Sequence, residues 1–88
     1  MYILLYILRL QGKQKEVQTM TKPEAVRFLE TLLHGGDVVE KISYWLGGKY
    51  NVVRYIQYSD NLYCVSEEDD RLTYIYNSNN DTVLYKEV

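Results

Sequence analysis

The side chains able to do chemistry are few and scattered. The chain has one cysteine, Cys64, and one histidine, His34. A thiol becomes a nucleophile when a nearby base takes its proton, so Cys64 with His34 is the single such arrangement the composition permits. The plainer reading makes Cys64 a small buried hydrophobe and His34 a cap in the last turn of a helix. Glu67-Glu68-Asp69-Asp70 is the densest charge run. It could hold a hard cation weakly or dock on a basic partner, but it lacks the ligand spacing of a calcium loop. A solvated hairpin tip, with Arg71 facing Glu68, accounts for it. His34-Gly35-Gly36-Asp37 and Leu46-Gly47-Gly48-Lys49 are glycine-rich. A phosphate loop needs Ser or Thr after its lysine, and Tyr50 follows Lys49. Both glycine pairs read as turn and cap residues. The chain reads as non-enzymatic, with no metal site and no cofactor.

The elements that would position these groups are better defined. With 88 residues and 47% apolar side chains, the chain fits one small globular domain. Its net charge of −2 leaves no basic stripe for a generic grip on nucleic acid. The lone cysteine excludes an internal disulfide and suits a reducing cytoplasm. Thr21-Lys22-Pro23-Glu24 is a capping box with proline in the first turn. It opens a helix from Lys22 to His34 whose apolar stripe is Ala25, Val26, Leu29, Leu32 and Leu33, widened by Phe28, with Gly35 as the C-cap.

Residues 49 to 87 read as strands joined by compact polar turns. Asp60-Asn61, Asp69-Asp70 and Asn79-Asn80 are each suited to a two-residue hairpin loop. These turns set Tyr58 against Tyr63, Ile56 against Val65, Val65 against Tyr74, Tyr63 against Tyr76, Tyr76 against Val83 and Tyr74 against Tyr85. Asp37–Leu46 can be a helix, because Asp37 and Glu40 form a second capping box. It can also be a strand, closed by Gly47-Gly48 with Trp45 against Tyr50 and Ile42 against Val53. The strand is preferred. The expected fold is α+β: one N-terminal helix, then a four- or five-stranded antiparallel meander.

Before Met20 the signals are different. Met1–Leu10 is apolar but too short to span a bilayer, which takes about 20 residues, and it lacks the basic n-region and small-residue cleavage site of a signal peptide. Lys15-Glu16-Val17 can be encoded by AAG-GAG-GTN, a purine-rich ribosome-binding sequence lying just ahead of a Met20 start. Residues 1–19 therefore read as a leader or arm, and residues 20–88 as the domain.

This register sorts the sheet into two faces. Ile42, Tyr44, Leu46, Val53, Tyr55, Leu62, Cys64, Ile75 and Leu84 form an aliphatic face for the helix to cover. Trp45, Tyr50, Val52, Arg54, Ile56, Tyr58, Tyr63, Val65, Leu72, Tyr74, Tyr76, Val83 and Tyr85 form the other. No second helix remains to cover that phenol-rich side. Trp, Tyr and Arg dominate binding hot spots, and an uncovered apolar face marks an interaction site. The expected partner-binding residues are Trp45, Tyr50, Arg54, Tyr58, Tyr63, Tyr74, Tyr76 and Tyr85. Cross-strand tyrosine pairing, or a sheet curled on itself, would explain the same residues without a partner.

A capped helix followed by glycine and a strand bearing Ser43, Trp45, Gly48 and Tyr50, leading into a meander, resembles small accessory proteins of bacteriophages. The resemblance covers roughly residues 24–56 and lies in element order. It implies an anti-defence role, as an inhibitor of a host protein or a sponge for nucleotide signals. The expected function is a protein-binding or self-associating module, such as a homodimer, in the host cytoplasm. The alternatives are a small-ligand sponge at a dimer interface, with Lys41 and Arg54 meeting an anion, and a winged-helix nucleic-acid binder if Asp37–Leu46 is helical.

Overall fold

The computed structural model describes residues 16–17 and 20–88. The elements are a two-residue strand β1 (Glu16–Val17), helix α1 (Lys22–Gly35), and strands β2 (Asp37–Leu46), β3 (Lys49–Tyr58), β4 (Asn61–Glu68), β5 (Arg71–Asn77) and β6 (Thr82–Lys86). The sheet order is β1-β6-β5-β4-β3-β2. Strands β2 to β6 form the antiparallel meander, and β1 lies parallel to β6. The fold is α+β, as expected. The rest of the leader or arm lies outside the described residues.

The helix begins where its caps dictate. Thr21 Oγ1 accepts from the Glu24 N–H at 3.4 Å, and Glu24 Oε1 accepts from the Thr21 N–H at 2.9 Å. These contacts occupy backbone donors that the first turn would otherwise leave unpaired. The bond from the Thr21 backbone, helped by the Thr21 hydroxyl, holds the Glu24 carboxyl below its ordinary value. The other end departs from expectation. Gly35 is still helical, and Gly36 is the C-cap, in extended rather than left-handed backbone. Glycine is needed there for close approach. A Cβ on Gly36 would sit 2.8 Å from both the Gln57 and Leu32 carbonyl oxygens and 2.9 Å from Ile56 Cγ2.

The helix crosses the sheet diagonally. At its start, the Met20 N–H donates to the Leu84 carbonyl at 2.9 Å and Lys22 Nζ lies 3.3 Å from Glu87, both near the end of β6. At its finish, Gly35 and Gly36 lie against Tyr58 and Ile56 on β3. Beneath it Ala25, Leu29 and Leu32 meet Ile56, Tyr63, Val65, Ile75, Leu84 and Tyr85. The corner where β2 and β3 turn at Gly47-Gly48 lies away from this diagonal.

The turns explain the register. Gly47-Gly48, Ser59-Asp60 and Asp69-Asp70 all have positive φ at both residues, the geometry whose twist matches paired strands. The β3–β4 loop is thus Ser59-Asp60 rather than Asp60-Asn61. The pairing slides by two residues, so Ile56 faces Tyr63 and Tyr58 faces Asn61, and no face is inverted. The Asn61 side-chain amide donates to the Ser59 carbonyl at 3.2 Å, which holds this turn.

The larger correction comes from β-bulges. The ladder shifts between Ser66 and Glu67, leaving Thr73 as the extra residue, and again between Ile75 and Tyr76, leaving Leu84 extra. One added residue reverses the direction of every side chain beyond it. Val65 therefore faces Ile75 rather than Tyr74, and Tyr63 faces Asn77 rather than Tyr76. Ile75 faces Tyr85, which removes the expected Tyr74–Tyr85 pair, while Tyr76 faces Val83 as expected. The bulged residues are anchored. Thr73 Oγ1 donates to the Ser66 carbonyl at 3.2 Å, and the Leu84 carbonyl is the acceptor for Met20.

Two substitutions test this packing. Leu32→Ala empties a fully buried site and should cost about 2–5 kcal/mol in urea unfolding. Gly36→Ala forces its methyl against two carbonyl oxygens and should cost about 1–3 kcal/mol with helix content retained.

Candidate functional site

The helix lies on the side expected to be open, and the tyrosines divide between the two faces. The ring of Phe28 meets that of Tyr63 edge-on, with centroids 5.2 Å apart, so Tyr63 points toward the helix. Its cross-strand partner Ile56, the alternate residue Val65 and Val65's partner Ile75 share that face. Tyr63 and Tyr85 are 8% and 6% exposed and belong to the core. Tyr58 is half-buried and packs against the same cluster. Tyr74 and Tyr76 point the other way, stacked on each other at 6.2 Å. The eight expected partner-binding residues therefore do not form one surface. Three β-branched side chains meeting the helix stripe make a tighter core than a row of phenols, and the bulge at Thr73 is what brings Ile75 into that row.

On the face away from the helix, Cys64 lies between Tyr55 and Tyr76. It is half-exposed, and burial pushes its thiol pKa up. The neighbouring thiol, more than burial, raises that of Tyr55. Cys64 and His34 lie on opposite sides of the sheet, which removes the one nucleophilic pair the composition offered. Among the described residues no cluster of histidine, cysteine and carboxylate could hold a metal ion. A shallow depression beside the helix end is lined by Arg27, Glu30, Thr31, His34, Gly35 and Tyr58.

Lys41 and Arg54 are opposite each other across β2 and β3, as expected. The Arg54 guanidinium is bound to Glu67 at 2.6 Å, with both side chains largely buried. Its charge is spent on that partner, which weakens the case for an anion pocket. Asp37–Leu46 is a strand, so the winged-helix reading lacks its second helix.

What stands open is the β2 edge. Every one of its ten residues is exposed. Its apolar side chains include Trp45 at 70%, Leu46 at 68%, Val39 at 60% and Ile42 at 41% exposure, with Val38 and Tyr44 also exposed. Trp45 leans on Tyr50, with ring centroids 5.3 Å apart, at the corner the helix does not reach. Of the expected residues, Trp45 and Tyr50 belong to this surface. Val38, Val39, Ile42, Tyr44 and Leu46 were missed as site residues. The available signal was positional: β2 opens the meander, and among the described residues it lies at the border of the sheet with β3 as its neighbour on one side only.

No protein-family model, curated protein or solved structure matches this chain.

The Tyr76 hydroxyl donates to the Asp81 carboxylate, and that bond, more than burial, pushes its pKa up to about 12. A raised phenol pKa favours the fold while the phenol is neutral. The contribution is therefore intact below the ordinary value of 10.0 and is lost as pH rises through about 12. Ultraviolet titration should show Tyr76 ionising late, near pH 12, and Asp81→Asn should return it toward 10.0.

Proposed function

We propose that the chain is a non-enzymatic interaction protein whose working surface is the β2 edge and the Trp45–Tyr50 corner. One observation carries this reading. A ten-residue strand with Val38, Val39, Ile42, Tyr44, Trp45 and Leu46 exposed forms the border of the sheet. Among the described residues such a border offers backbone donors and acceptors turned away from β3 together with apolar side chains, and both are satisfied by a protein partner. Isolated apolar side chains on a surface are ordinary, but a sheet border that carries them on both faces, Trp45 on one and Ile42, Tyr44 and Leu46 on the other, is a recognition feature.

The mode of action is occupation of a partner by this edge. The element order supports an accessory inhibitor of the kind phages carry, acting in a host cytoplasm, where the single thiol would stay reduced. The acidic balance of the chain supports a protein partner over nucleic acid.

Alanine substitution separates the working surface from the core. Trp45→Ala and Ile42→Ala should weaken partner capture at least tenfold, with unfolding free energy within about 0.5–1 kcal/mol of the native chain. Tyr63→Ala should cost about 3–5 kcal/mol through its buried ring. Unchanged capture in both edge variants would remove the surface from consideration.

A further inference from the structure

The occupant of the β2 edge can be argued from backbone direction and from strand symmetry. This step rests on the edge reading above. Tyr50 turns both backbone groups toward β4: its N–H donates to Asp69 Oδ1 at 3.0 Å, and its carbonyl accepts from the Asp69 N–H at 2.8 Å. Directions alternate along an antiparallel ladder. Trp45, opposite Tyr50, therefore has its N–H and C=O turned away from β3, and Ser43 and Lys41 follow in step.

The regular part of β2 is bounded at both ends. It starts at Glu40, where the irregularity at Val39 ends, and stops at Leu46, where the Gly47-Gly48 turn begins. Its midpoint is Ser43, the smallest side chain in the stretch and one whose backbone groups face outward. Two identical strands pair antiparallel about a two-fold axis, and each residue meets the one equally far beyond that axis. An axis at Ser43 pairs the entire regular stretch. Lys41 then lies beside the second copy's Trp45, Ile42 beside its Tyr44, and Glu40 beside its Leu46. A cation against an indole and an aliphatic against a phenol are favourable neighbours. An axis at Lys41 or Glu40 would instead set like charges face to face.

We propose that this protein is a homodimer in which β2 pairs with β2 of a second copy about a two-fold axis at Ser43. The pairing joins the two sheets into one continuous sheet and keeps both helices on one side. Strand edges that avoid such pairing carry proline, charged side chains or a bulge. The bulge of β2 lies at Val39, before the pairing stretch, and Glu40–Leu46 has no proline and confines its charges to Glu40 and Lys41 at one end.

Analytical ultracentrifugation of the full chain across the micromolar range should show a dimer. Ser43→Pro removes one outward N–H, and a proline at such an edge position leaves the pairing with β3 intact. It should weaken dimerisation at least tenfold while circular dichroism stays native. Amide exchange of the native chain needs no variant. Lys41, Ser43 and Trp45 should gain protection as concentration rises, whereas Ile42 and Tyr44, already turned toward β3, should not. A native chain that is monomeric throughout, a folded Ser43→Pro that still dimerises, or exchange independent of concentration would each overturn the proposal. A monomer whose partner capture is lost in Trp45→Ala would overturn self-pairing and leave the broader edge reading standing.

Discussion

Leu32, Ile56, Val65 and Ile75 are sealed from solvent, and the rest of the molecule is arranged around their contact. Small domains have little apolar area to bury, so such a row carries a large share of the stability. Placing Ile75 beside Val65 requires the extra residue at Thr73, because an unbroken ladder from the Asp69-Asp70 turn would have set Tyr74 there. The bulge reverses the tail of β5. That reversal puts Tyr74 and Tyr76 on the side away from the helix and leaves Tyr63 and Tyr85 under it.

The diagonal run of the helix follows from its two attachments. Met20 and Lys22 tie its start to the end of β6, and Gly36 lets its finish press against Ile56 and Gln57. A helix of 14 residues is about 21 Å long, whereas a ten-residue strand runs about 33 Å. One helix laid corner to corner cannot cover the whole sheet. The uncovered corner is the β2–β3 turn, where Trp45 rests on Tyr50. Coverage of the core and exposure of the edge thus have the same geometric origin.

Charge is distributed in keeping with this division. Arg54 is bound to Glu67, and Arg71 bridges Glu68 and Glu87. These pairs occupy Arg54 and Arg71, and the Glu67–Asp70 run serves as a hairpin tip with Asp69 bonded to Tyr50. The β2 edge carries its charges, Asp37, Glu40 and Lys41, in its first half and is apolar from Ile42 to Leu46 apart from Ser43, which suits strand pairing better than ion binding.

The amino-acid sequence by itself determined the local features: the capping box at Thr21, the Asp69-Asp70 turn, and the order of one helix and a meander of four or five strands, with Asp37–Leu46 favoured as a strand but open to a helix. These depend on contacts between residues near in the chain, so local patterns reveal them. Cap position, turn placement and faces were legible in part. Gly35 was one residue early as the C-cap, and the β3–β4 turn was one residue late. Which face the helix covers, and therefore which aromatic residues remain available, was decided by the tertiary structure alone. The bulges at Thr73 and Leu84 arise where packing under the helix outweighs the regular ladder, and that competition involves residues far apart in the chain. The β2 edge was legible in part. The first strand of a meander lies at a border, but only the assembled sheet shows that no other described residue pairs along it.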